Sequence, residues 1–122
     1  MKQEISLPDD GKPIGPIEQT LRDAWELIAD VDNRCSDAIA KTSDGRDVLP
    51  NDPEACQWCG IGAYNKILSP EADYDFDVYC LMLDAANRLG FSTIVLIFQL
   101  DIVNNPPKLY EKAIHLAHER GV

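Results

Sequence analysis

Two pairs of residues with clear chemical capacity recur at the same interval, Cys56-x2-Cys59 and His115-x2-His118. Two thiolates and two imidazoles make a tetrahedral zinc site, and an i, i+3 pair on each of two helices would present all four ligands to one point. The 55 residues lying between the pairs are far outside finger-type spacings, so the expectation is no metal and no cofactor. A redox pair is also disfavoured. Asp52 and Glu54 put negative charge beside the cysteines and oppose the thiolate, which leaves them as small core residues. His115 has Glu111 one turn before it and His118 has Glu119 beside it, so each imidazole has a carboxylate to orient it as a base. No nucleophile, metal motif or phosphate loop accompanies them, and a histidine near a helix C-terminus ordinarily faces solvent. A catalytic set therefore does not follow.

The second constellation is acidic. Asp73-x-Asp75-x-Asp77, with Asp84 in twelfth place, imitates a calcium loop, but Val78 occupies the position where the sharp turn needs glycine. Gly60-x-Gly62 lacks a preceding strand and the third glycine of a dinucleotide loop. The aspartates alternate with Tyr74 and Phe76, aromatics of the kind enriched at protein interfaces. Asp73, Tyr74, Asp75, Phe76 and Asp77 are thus the expected partner-binding face, carboxylates meeting a partner's Arg or Lys with rings as anchors between them. The whole chain leans the same way: 21 acids against 11 Lys and Arg give a formal charge of −10. Such a surface repels nucleic-acid phosphates and favours a protein partner with a basic surface.

The elements that position these residues follow from punctuation and periodicity. Residues 1–16 hold three prolines, two glycines and Asp9-Asp10, which reads as an extended or flexible N-terminal arm. Residues 17–122 read as a single helical domain. Ile17, Leu21, Ala24, Trp25, Ile28 and Val31 repeat at helical spacing, which predicts an amphipathic helix to Asn33 with Glu18, Arg22, Asp23 and Glu26 on its outer side. Ser43-Asp44-Gly45-Arg46 between apolar pairs predicts a small β-hairpin over residues 38–49. Asp52-Pro53-Glu54 is a helix-start signal, so a central helix is expected from Asp52 to Leu68, stopped by Ser69-Pro70. On it Cys56, Cys59, Ala63 and Ile67 share a buried stripe beside Gly60 and Gly62. This makes Trp25, Cys56, Trp58, Cys59, Gly62 and Ala63 structural, and predicts that serine at position 59 costs more than alanine.

A helix over residues 71–90 is expected to bury Phe76, Tyr79, Cys80, Leu83, Ala86 and Leu89 and to close at Gly90. Ile94 to Phe98 suits a short buried helix, and Asn105-Pro106-Pro107 opens a last helix that ends at Gly121. The fold class is mainly α: a compact bundle of four to five helices with a possible small hairpin. No apolar run reaches membrane length and no export signal is present, so a cytoplasmic protein with reduced cysteines is expected.

The order of amphipathic helix, Asp-Gly-Arg turn, Trp58-Cys59-Gly60-Ile61-Gly62-Ala63, apolar segment into Asn104-Asn105 and closing helix resembles a small-protein family of bacteria and phages, a domain of unknown function. That family carries a Cys-x-x-Gly-Ala helix and a Trp-Asn-Asp-like turn, where this chain has Val103-Asn104-Asn105. The resemblance spans Ile17 to Gly121. It implies a phage-like or accessory gene context and brings no activity, substrate or catalytic residue. The function expected is therefore a non-enzymatic acidic interaction protein, a modulator or inhibitor of a protein with a basic surface. The competing expectation is a small enzyme or metal-binding module using Cys56, Cys59, His115 and His118.

Overall fold

Helix α1, Pro16–Ile28, starts at a residue pair suited to it: Gly15 is the cap and Pro16 fixes the first helical φ without wasting a donor. No side chain caps it. The Val122 carbonyl accepts from the Ile17 N–H at 2.6 Å and the Glu18 N–H at 3.4 Å, so residues after the last helix satisfy its free amides. A computed structural model describes residues 2–68, 71–91 and 102–122. Ile17, Leu21, Ala24, Trp25 and Ile28 are buried as periodicity requires. The helix ends sooner than Asn33, because Asp30 turns the chain and accepts from the Asp32 N–H at 3.0 Å, opening a 3-10 turn over Val31–Asn33. Glu18 also departs from expectation. It lies on the inner face, 1% exposed.

The expected central helix is corrected most. Asp52 does accept the amide of Glu54 at 2.8 Å, and its carbonyl takes the Ala55 N–H at 3.0 Å, but this closes a local turn. Residues Ala55–Trp58 then run as strand β2, antiparallel to strand β1, Ala40–Thr42. The pairing provides backbone partners that a lone helical turn at Pro53 would lack. The Asp-Gly turn forms as read: Gly45 has φ +86°, Thr42 N–H meets Arg46 O at 2.9 Å and Val48 N–H meets Ala40 O at 3.1 Å. Helix α2 is therefore short, Gly60–Ile67.

Helix α3, Asp75–Arg88, ends with Gly90 at φ +85° and the Phe91 N–H on Ala86 O at 2.8 Å, a Schellman closure. Its buried residues are Val78, Leu81, Met82, Ala85 and Ala86, so the helix is rotated from the expected face and Phe76 and Cys80 are exposed. Helix α4, Asn105–Arg120, opens at Pro106-Pro107 and closes at Gly121 with φ +70° as predicted. The segment expected as a buried helix, residues 92–103, lies outside the described residues except for its last two. Four α-helices and a two-stranded antiparallel sheet thus make a mainly α fold among the described residues. Helix α1 packs against α2 and α4, and α3 packs against α4. Trp25 and Tyr110 meet at 6.0 Å near the centre, and the Arg34 guanidinium lies 5.2 Å over the Trp25 ring.

Candidate functional site

The start of α3 lies beside α2 and carries Phe76, the most exposed aromatic side chain of the described chain. Phe76 is 70% exposed and stacks on Tyr79 at 6.4 Å between centroids with 20° between planes. Asp73, Asp75 and Asp77 are exposed around it, while Tyr74 is half-buried against the core. Val78 takes the inward position that leaves Phe76 outside. Beside the pair opens a cavity of about 330 Å3 lined by Ile61, Tyr64, Asn65, Asp75, Phe76 and Tyr79. Of its lining residues Tyr64 is buried, and behind it the buried Tyr110 donates its hydroxyl to the Gly60 carbonyl. Burial and the neighbouring Tyr79 push the Tyr64 phenol well above its ordinary range, and burial does the same at Tyr110, so both remain neutral.

Cys59 sits at the cap of α2, where its Sγ accepts the Gly62 N–H at 3.3 Å. Sulfur does here what a serine oxygen does at most helix starts. The predicted order at this position is therefore reversed: a serine would keep the cap and alanine would lose it. A helix start ordinarily favours a thiolate, yet burial outweighs that effect and raises the Cys59 pKa. Burial and the nearby Cys59 push the Cys35 thiol up to about 12. Gly62 has a separate reason to be glycine, since a Cβ there would stand 1.9 Å from the Ile39 carbonyl oxygen. That same oxygen accepts the Cys59 N–H at 3.3 Å. Trp58 is buried and donates its indole N–H to Pro50 O at 2.9 Å, Ala63 is fully buried, and Cys56 is only half-buried on β2.

The structure does not bring the two cysteines to the two histidines. A strand does precede Gly60-x-Gly62, contrary to the expectation, although the third glycine is still missing. Among the described residues no group of three or more His, Cys, Asp and Glu is arranged to hold a metal. His115 is held by the arm, its Nε2 lying 3.0 Å from Ser6 O, and Glu111 accepts the Ser6 N–H at 2.9 Å rather than orienting His115. His118 is buried, and Glu119 is not its partner. Its neighbours are Glu18 at 2.8 Å and Asp10 at 2.6 Å. Local spacing offers no hint of partners so distant in sequence. The one available signal was that His118 continues the buried row Tyr110, Ile114 at i+4, and that Glu18 precedes Trp25 by seven on α1. Compared with protein-family models, curated protein sequences and solved structures, the chain matches none. No helix of the described residues is long and apolar enough to cross a membrane.

Proposed function

We propose that the protein is a non-enzymatic interaction protein whose α3 start docks onto a basic protein surface. The observation that carries this reading is the Phe76–Tyr79 stack, 6.4 Å apart, on the surface among three exposed carboxylates. The exposed Phe76 ring, backed by the half-buried Tyr79, leaves apolar area in water that a partner can cover, and aromatics contribute heavily where they are desolvated. The partner's chemistry follows from the rim. An arginine can lay its guanidinium on an aromatic face while meeting a carboxylate edge-on, and the adjoining cavity can take an apolar side chain beside it. The charge of −10 supports a basic protein over nucleic acid. In this proposal the protein acts in the cytoplasm, as a modulator or inhibitor from a phage or accessory gene.

The test is capture from lysate of the cells that carry the gene, with immobilised wild type, Phe76→Ala and the triple Asp73→Asn, Asp75→Asn, Asp77→Asn variant. A basic protein should be retained by the wild type at low salt, released as salt rises, and lost by both variants. Equal retention by all three proteins would move the binding face elsewhere.

A further inference from the structure

The N-terminal arm contains no helix, yet it is fastened along the molecule at successive points. Gln3 N–H meets Ala29 O at 2.8 Å, Ser6 bonds to Glu111 and His115, and Pro8 O accepts from Arg22 Nη2 at 3.3 Å. The last fastening is of a different kind. His118 Nδ1 lies 2.8 Å from Glu18 Oε1 on α1, and His118 Nε2 lies 2.6 Å from Asp10 Oδ1 on the arm. Only the imidazolium has two N–H groups, so only the charged ring donates to both carboxylates.

The two carboxylates are not equivalent. Glu18 is buried and accepts from Arg22 Nε at 2.9 Å and Nη2 at 2.7 Å, so it has nowhere to go. The Asp10 side chain is 45% exposed, with its other links being the Lys12 N–H at 3.1 Å and Lys12 Nζ at 3.8 Å. A neutral ring that keeps its N–H on Glu18 turns a lone pair toward Asp10, and Asp10 can move into water at little cost. We propose that His118 is a pH-sensitive latch: as imidazolium it holds the end of the arm to α1 and α4, and on losing its proton it releases residues 9–12.

The charged groups bearing on the ring are Glu18 and Arg22 from α1, and Asp10 and Lys12 from the arm. On α4 itself His115 is engaged with Ser6, Glu119 is exposed, and Arg120 pairs with Asp84 of α3. The hydrogen bond to Glu18, then that to Asp10, favours the charged ring and raises His118 above its ordinary 6.5. A raised histidine stabilises the closed form fully below that ordinary value, and the contribution is lost as pH rises through the raised one. At the acid end, the Lys12 amide and His118 hold Asp10 below its ordinary 3.8, so the latch persists until pH falls through that lowered value. Once residues 9–12 are free, the rest of the arm, which passes beside Trp25, depends on the Gln3, Ser6 and Pro8 contacts.

Backbone 15N relaxation and the His118 ring shift, followed in the intact chain from about pH 5 to pH 9, test this. Order parameters of the amides of residues 9–12 should fall from about 0.85 to below about 0.6, with the midpoint of His118 titration. Asp10→Asn, at an exposed position that does not threaten folding, should leave these amides indifferent to pH, and His115→Gln should leave the step in place. Constant order while His118 titrates would overturn the latch, and so would a step that survives Asp10→Asn but vanishes in His115→Gln.

Discussion

The starts of α2 and α3 lie side by side and are built in opposite ways. At α2 the first turn, Gly60 to Tyr64, is wholly buried, its cap is a sulfur atom, and it carries no charge. At α3 the residues Asp75, Phe76 and Asp77 are exposed, and Tyr74 at the cap makes no side-chain cap hydrogen bond. Both helix dipoles favour negative charge at this end, but a carboxylate at α2 would have to be stripped of water, a penalty of several kcal/mol that outweighs a dipole gain of about 1 kcal/mol. The buried start caps its own first turn through Cys59 and offers a ligand no charge, only the apolar wall that Ile61 and Tyr64 give the cavity. The open start keeps its charge and aromatic area for something outside.

Four measurements distinguish a closed α2 start from an open α3 start. The largest effect should appear in thiol labelling of the native protein. Cys80, exposed on α3, should react at once, whereas Cys35 and Cys59 should react at least about a thousandfold more slowly because they need an opening near the global one. Mass spectrometry of timed samples reads this, and early modification of Cys59 would mean that the α2 start is not closed. Next is Gly62→Ala, whose Cβ would meet the Ile39 carbonyl oxygen; denaturant unfolding should show a loss of about 3 kcal/mol. Cys59→Ala should lose about 1 kcal/mol through the cap, with Cys59→Ser closer to the parent. The smallest change is expected for the combined Asp73→Asn, Asp75→Asn and Asp77→Asn variant, under about 1 kcal/mol, because exposed charges near a helix end contribute little. A large loss there would show these aspartates to be structural.

Helix α4 is legible because apolar periodicity, prolines at the start and a glycine at the end agree with one another, whereas α1 is legible in its apolar periodicity but not in its end, where no glycine marks the stop and Asp30 turns the chain. The mainly α class and the Asp-Gly turn were legible for the same local reason. The region between them was not. Asp52-Pro53-Glu54 carries a true capping signal that is used for a turn, and a strand of four residues, paired with a segment thirteen or more positions earlier, leaves no periodicity to read. The phase of α3 was misread because Phe76 looks more like a core residue than Val78, and only the packing against α4 decides which faces inward. Asp73, Asp75 and Asp77 were placed correctly on the surface by charge. Their neighbour Tyr79, expected in the core, is half-buried against it and also carries the exposed Phe76 ring. Glu18, Asp10 and His118 meet across sequence separations of 100 and 108 residues, a contact that local spacing cannot announce.

The hydroxyl of Tyr110 donates to the carbonyl of Gly60, fifty residues earlier in the chain. Both groups are buried, so the first turn of α2 gains a satisfied carbonyl only after α4 has been made and has docked. Closing so long a loop comes late in folding, since the entropy lost in joining distant segments must be spent before their contact repays it. Refolding should therefore pass through a period in which β1, β2 and α1 are already protected while Cys59 still reacts. A brief pulse of thiol reagent at successive refolding times should label Cys59 until the amides of α4 become protected and not after. Loss of Cys59 reactivity ahead of α4 protection would show that the α2 start closes without its distant tyrosine.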